Sequence, residues 1–270
     1  MEQNFKHNLF GKLLNLFQLF NKFPTFLTDK KDVLNLIQGL HPKNTDKELV
    51  RLGSIGDGGY LIPNDLENIE ACFSPGVSSN SDFELDCANR GMKVFLADKS
   101  VDGPAVQNKS FQFQKKFIGA ITNESFMTIN DWIKSSDLRA DSDLILQMDI
   151  EGFEYETFLS MTDEVIKRFR IMVVEFHLLN HIWNKPFYNL VNSTLEKIKQ
   201  THTCVHIHPN NANPSLKYNG IGIPSLLEFS FLRNDRIIHA NYSSTFPHAL
   251  DTKNVENKPD IILPGNWIHS

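Results

Sequence analysis

An α/β fold with seven mostly parallel strands in one sheet and helices on both faces is what this sequence predicts, on three observations. From residue 43 onward, short apolar runs alternate with amphipathic segments, the pattern of consecutive β-α-β units. The runs at 143–149 and 171–177 are almost continuously apolar, as central strands are when helices cover both faces. Acids recur at the ends of these runs, where open sheets of this kind hold ligands.

Each element follows in chain order. Residues 1–42 read as a helical extension: Phe10, Leu13, Leu14, Phe17 and Phe20 recur at helical spacing, and Pro24 closes the helix. Lys12, Asn15, Gln18 and Lys22 interrupt it, so it falls short of the roughly 18 apolar residues a membrane-spanning helix needs. Its apolar face is expected against the rest of the chain or a second copy in a homo-oligomer. Peripheral membrane contact is the other option, since basic interfacial helices look alike. Residues 43–270 form one domain, with strands expected at 69–74, 93–98, 113–121, 143–149, 171–177, 203–208 and 225–233. Helices are expected at 81–89, 130–134, 154–169 and 188–199, the first stopped by Gly91.

Composition narrows the function. With 270 residues, 41% of them apolar, the chain can bury one large core, and a net charge of −5 supplies no field for a polyanion, which argues against nucleic acid as partner. Cys72, Cys87 and Cys204 are odd in number and widely spaced, unlike a disulfide framework or a thiolate zinc site; a reducing, cytoplasmic compartment fits.

The strand ends carry the chemistry. Ser74, Pro75, Gly76, Val77 and Ser78 follow the first strand, Asp98 the second and Asp149 the fourth, while Glu175 and His177 lie on the fifth. A glycine turn lets a cofactor approach the backbone, and an acid about 20 residues later can accept both hydroxyls of a ribose. Gly76 and Asp98 stand in that relation, but Ser78, Ser79 and Asn80 replace the remaining glycines of a pyrophosphate loop. A nucleoside without phosphates is favoured over a nicotinamide dinucleotide. A nicotinamide-dependent oxidoreductase is the alternative within this fold class, and a non-catalytic protein binding a partner through its Phe-rich N-terminus is the alternative outside it.

The segments around 52–63, 73–88 and 94–100, together with Asp149-Ile150-Glu151-Gly152-Phe153-Glu154-Tyr155-Glu156, 173–177 and 205–211, resemble the FkbM-type family of S-adenosylmethionine-dependent methyltransferases. The resemblance spans about Leu52 to Arg233. It implies a Rossmann-like methyltransferase fold, S-adenosylmethionine as cofactor and O-methylation of a carbohydrate or polyketide-like acceptor, hence glycan modification. It also implies that Gly76, Val77 and Ser78 line the cofactor's methionine part, that Asp98 holds the ribose and that Asp149 faces the reacting centre; Asp57, Gly59, Tyr60 and Lys99 are further candidate cofactor contacts. Where the family more usually has a D-x-G-A-x-x-G run, this chain has FSPGVSSNSDFE from Phe73 to Glu84, with Gly76 its one glycine.

Two readings of the stretch from Gly56 to Tyr60 stay open: a flap over the cofactor, or a tight hairpin turn. A sugar hydroxyl is a poor nucleophile at neutral pH and needs a base or a metal. Asp149, Glu175 and His177 are the candidate catalytic residues, and Glu175 and His177, two apart on one strand, point to the same face. The resemblance permits a divalent ion, Mg²⁺ or Mn²⁺, on Asp149, Glu175 and His177; otherwise His177 is the base, or Glu175 and His177 are structural. His206, His208, Asn210 and Asn211 cluster at the end of the sixth strand. There His208 and Asn210 are candidate acceptor-binding residues, and a plain turn at Pro209 is the alternative.

Overall fold

A computed structural model describes residues 11–77 and 79–269. Its strands are β1 (Lys43–Thr45), β2 (Leu49–Leu52), β3 (Tyr60–Pro63), β4 (Ala71–Pro75), β5 (Lys93–Ala97), β6 (Phe111–Gln114), β7 (Phe117–Ile118) and β8 (Phe126–Met127). They continue with β9 (Leu144–Met148), β10 (Phe169–Phe176), β11 (His202–Pro209), β12 (Ser215–Tyr218), β13 (Ile221–Pro224), β14 (Leu227–Arg233) and β15 (Ala240–Tyr242). Seven of them form the main sheet in the order β11-β14-β10-β9-β4-β5-β6. These are the seven strands expected from the sequence. Among the paired neighbours, β14 alone runs antiparallel, to both β10 and β11. The chain order reverses between β4 and β9, which makes a crevice at their carboxyl ends.

The two faces are covered unequally. One face packs Phe73, Phe95, Leu146, Phe176 and Phe229 against helices Lys30–Gln38, Ile129–Ser135, Glu154–Ser160, Asp163–Arg168 and Lys185–Lys199. The other packs Cys72, Leu96, Ile145 and Val173 against helix Asp82–Asn89 and the β2–β3 hairpin, through Phe83, Leu52 and Ile62. Each large side chain buried this way contributes about 2–3 kcal/mol. Val33, Leu36, Ile37 and Leu40 belong to the first of these cores, so residues 30–40 are part of the domain rather than of a separate extension.

Three elements depart from expectation. The helix read at 154–169 is two, because Thr162 caps a second helix by accepting from the Val165 N–H. The strand read at 113–121 ends at Gln114, where the Lys116 N–H turns back to the Gln114 carbonyl at 2.8 Å, and resumes as β7 paired with β8. At the N-terminus the described helical residues are 11–18, and Asn21, in the left-handed region at φ 52°, ends the turn before Pro24 is reached. No described helix is long and apolar enough to cross a membrane.

Candidate functional site

The crevice is built by a close crossing of two strand ends. Gly76 has φ 90°, and a Cβ there would lie 1.6 Å from the Asp149 carbonyl oxygen. Only glycine satisfies both the dihedral and the contact. The Gly76 N–H donates to the Ala97 carbonyl at 3.1 Å, so the loop after β4 leans toward the end of β5. There Asp98 Oδ2 accepts from the Val77 N–H at 3.1 Å, and Oδ1 accepts from the Ser100 N–H and hydroxyl, both at 2.6 Å. A carboxylate has about four acceptor positions, and donors among the described residues occupy three. Ser78 lies outside the described residues.

Beside this crossing lies a cavity of about 280 Å³. Phe117, Ile118, Phe126, Ile150 and Phe153 make its apolar wall, and Asp98, Asp149 and Glu151 its polar edge. The rings of Phe117, Phe126 and Phe153 follow one another at 5.5 and 5.8 Å between centroids. Lys99 turns away and donates to the Ser125 hydroxyl. A smaller polar cleft between Asp57, Tyr60, Asn80 and Glu84 shares Gly76 and Asp149 with the cavity.

That cleft is roofed by the loop 53–59, which joins β2 to β3 in an antiparallel hairpin. The loop is longer than the two-residue turn its glycines suggested, and it is wound on Arg51. The guanidinium donates to the Ser54 carbonyl at 2.8 Å and the Gly56 carbonyl at 2.9 Å. Gly59 is packed so tightly that a Cβ would lie 1.9 Å from the Ser54 carbonyl oxygen. Asp57 is exposed on this loop, whereas Tyr60 is buried and its hydroxyl accepts from the Gln147 amide at 3.3 Å.

Asp149, at the end of β9, has a buried Oδ1 without a hydrogen-bond partner. Burial raises its pKa to about 7, helped by Glu151, Glu154 and Asp57, with His177 acting the other way. His177 Nε2 lies 3.7 Å from Asp149 Oδ1, 3.3 Å from Glu151 Oε2 and 3.8 Å from Glu175 Oε1, and its Nδ1 is 3.0 Å from Glu154 Oε1. Burial pulls the imidazole pKa down, but the Glu154 hydrogen bond and the surrounding carboxylates outweigh it and hold His177 above its ordinary value.

Glu154 and Glu151 were not among the candidates from sequence. Glu154 is fully buried, and its Oε1 also accepts from the Ile150 N–H at 3.2 Å and the Gly152 N–H at 3.0 Å. One carboxylate oxygen thereby fixes the turn after β9 and orients the imidazole. Glu151 sits on that turn with φ 56°, which swings its exposed carboxylate back toward His177.

Glu175 shares a face with His177, as their spacing suggested, but it is engaged from the other side. Asn210 Nδ2 donates to both its oxygens at 3.2 Å, and burial next to Asp149 and Glu228 pushes its pKa well above the carboxylate range. Across the antiparallel pairing Glu175 faces Glu228, and Glu228 faces His208 on β11. The Asn210 carbonyl oxygen of the side chain accepts from the Ala212 N–H at 2.8 Å, so both ends of that amide are engaged within the protein. His208 is buried with Nδ1 3.6 Å from Asp251 Oδ1. Burial lowers its pKa, but Asp251 and Glu228 reverse this and carry it to about 9. Asp251 also accepts from His206 at 2.8 Å, in a pairing that the sequence did not suggest.

A divalent ion has a plausible donor set here. Asp149, Glu151 and His177 each offer one ligand atom, all within 4.8 Å of one another, and the orphaned Oδ1 of Asp149 is what a ligand would satisfy. These residues therefore fit a metal, with Glu151 in the place first assigned to Glu175.

No family model matches the chain, and no curated protein matches it. Among solved structures it is similar to the methyltransferase FkbM of Methylobacillus flagellatus KT, at 13% identity over 60% of this chain with a TM-score of 0.34. The match covers 44% of that chain, so this protein corresponds to less than half of its length. It is also similar to a Burkholderia thailandensis 1,6-didemethyltoxoflavin-N1-methyltransferase solved with 1,6-didemethyltoxoflavin and S-adenosylhomocysteine, at 11% identity over 62% of this chain and 72% of that one, TM-score 0.30. At such values function has to be read from the site itself.

Proposed function

We propose that this chain is an S-adenosylmethionine-dependent O-methyltransferase acting on a sugar hydroxyl. The observation that carries the reading is one continuous crevice, in which an apolar cavity edged by Asp98 meets a polar cleft at Gly76 and Asp149. An adenine ring suits the phenylalanine wall, a ribose hydroxyl suits the remaining acceptor position of Asp98, and an amino-acid end suits the cleft of Asp57, Tyr60 and Asn80. The helix after β4 starts only at Asp82 and carries Asp82 and Glu84 in its first turn. Those acids oppose a pyrophosphate and so speak against a nicotinamide dinucleotide.

When bound, the cofactor supplies an electrophilic methyl group on a sulfonium. The chain's own work is to align an acceptor with that methyl and to remove the hydroxyl proton. Asp149 is the better base: its pKa near 7 leaves it part-ionised at neutral pH, and Oδ1 is free to receive a hydrogen bond. His177, held toward its protonated form, positions Asp149 and offsets its charge. Glu151, exposed beside the site, is suited to accept from other hydroxyls of a carbohydrate, while Asn210 and His208 brace the floor through Glu175 and Glu228. A second reading, favoured by the close set of Asp149, Glu151 and His177, is a Mg²⁺ or Mn²⁺ ion held there to acidify the hydroxyl as a Lewis acid. The buried, free thiols of Cys72, Cys87 and Cys204 suit a reducing, cytoplasmic setting.

Calorimetric titration of the folded chain tests this. S-adenosylhomocysteine is expected to bind with micromolar affinity and NAD⁺ not at all; binding of NAD⁺ alone, or of neither, overturns the reading. Methyl transfer that survives EDTA removes the metal and leaves Asp149 as the base.

A further inference from the structure

We infer that residues 11–27, together with the β12–β13 hairpin, form a docking surface for an anionic lipid bilayer. Sequence periodicity left the apolar side of this segment to be covered by the rest of the chain, by a second copy or by a membrane. Among the described residues, nothing covers that side. Leu19 is 79% exposed, Phe20 68%, Phe23 82% and Phe26 86%, and Leu13, Leu16, Phe17 and Leu27 are exposed as well. An apolar patch of this size on a folded domain marks a contact surface.

The patch stands on a fixed base. Thr28 donates through its N–H to the Trp183 carbonyl at 2.9 Å and through its hydroxyl to the Ile182 carbonyl at 2.7 Å, and the Lys185 N–H donates to the Phe26 carbonyl at 2.9 Å. The β12–β13 hairpin extends the same face. Tyr218 packs its ring edge-on to Trp183, with centroids 4.8 Å apart, and Gly220 sits beside the Lys30 ammonium. Leu216 and Tyr218 are both exposed, and Lys217 lies between them.

Charge decides between the two remaining occupants. Residues 3–28 contain Lys6, Lys12 and Lys22 and no acid, in a chain whose net charge is −5. A two-fold dimer through this patch would set it against its own copy, bringing lysines together with no carboxylate in the segment to pair them. An anionic headgroup layer complements the lysines while the acyl region takes up the phenylalanines and leucines.

The test is co-sedimentation of the intact chain with vesicles. Vesicles of mixed phosphatidylcholine and phosphatidylglycerol are expected to bind it, vesicles of phosphatidylcholine alone to bind it weakly, and the difference to shrink as salt rises. Lys12→Ala with Lys22→Ala is expected to weaken partitioning about thirty-fold. Phe20→Ser with Phe23→Ser is expected to abolish it. All four side chains are exposed or half-exposed, so thermal melts should match the parent. Failure of the parent chain to bind the phosphatidylglycerol vesicles overturns the inference. So does a dimer, seen by light scattering, that the phenylalanine substitutions dissociate while vesicle binding persists.

Discussion

The two ends of the main sheet carry the same kind of residue in opposite circumstances. At the end where β4, β9 and β10 begin, Asp65 and Asp143 each have a cation. Arg236 grips Asp65 at 2.7 and 2.9 Å, Arg170 donates to Asp143 at 2.8 and 2.5 Å, and Arg233 reaches Asp143 at 2.6 Å. The Arg236 hydrogen bonds hold Asp65 below its usual pKa, and those of Arg233 and Arg170 overcome burial to do the same for Asp143. At the opposite end Asp149, Glu175 and Glu228 gather around Tyr60 without a guanidinium in hydrogen-bond contact, and all three are raised, chiefly by burial. Carboxylates that are buried and left uncompensated cost stability, and clusters of them are a mark of a site kept for chemistry rather than for folding. One end fastens the sheet with ion pairs, and the other gathers raised carboxylates beside the crevice.

The largest effect is expected from the fastened end. Arg170 is buried and also donates to the Asp65 and Glu67 carbonyls at 2.9 and 2.7 Å. Arg170→Ala strands both carbonyls and leaves Asp143 to Arg233 alone, and should destabilise the protein by about 3 kcal/mol. Urea unfolding followed by circular dichroism measures this; a loss under about 1 kcal/mol would mean that this end is not the fastening.

The next effect separates the ends by pH. A carboxylate whose folded pKa is raised binds its proton more tightly in the folded state. Its contribution is complete below the unfolded value of 3.8 and is lost as pH rises toward about 7 for Asp149. His177, also raised, loses its contribution as pH climbs through its own folded value, in the same direction. Asp65 and Asp143 behave in the opposite sense, contributing above the unfolded value and losing it only as pH falls through their lowered folded ones. The metal-free chain, kept in chelator, should therefore lose stability from about pH 4 to about pH 7, with His177 extending the loss above that. The Asp149 share is about 2 kcal/mol, a figure reduced because its side chain is 32% exposed. Thermal melts across that range should show the slope, and Asp149→Asn should flatten it. An unchanged slope in that variant would assign the pH dependence elsewhere.

Much of this division was legible in the sequence. The central strands fell where apolar runs marked them, because a strand buried on both faces must be apolar along its length, whereas the edge strand β6, alternating and half-buried, was displaced from its expected place. The short strands β1, β2, β3, β12, β13 and β15 carry no such mark, since their pairing is fixed by hairpin and edge contacts made only after the chain has folded. Gly76, Asp98, Asp149 and His177 were found from their positions at strand ends. Glu154 was hidden because an acid in a first helical turn already has a reason to be there. Its second task, holding His177 through Nδ1, depends on the left-handed turn at Glu151 and Gly152. Glu228 was hidden by register: only the antiparallel pairing of β14 puts it opposite Glu175, and no local pattern encodes that pairing.

The smallest effect sharpens the ligand end. Burial and the neighbouring carboxylates push the Glu175 pKa well up and so favour its neutral form, which still accepts from Asn210. Glutamine has nearly the same shape and, like a neutral carboxyl, both accepts and donates. Glu175→Gln should therefore change stability by less than about 1 kcal/mol and leave S-adenosylhomocysteine affinity unaltered, while Glu175→Ala opens a polar cavity and costs more. Chemical denaturation of the two variants side by side measures the difference. Equal losses in both would mean that Glu175 is ionised in the folded protein and belongs with Asp149 and His177 as a working group, whereas a near-silent glutamine leaves it as the neutral floor on which they rest.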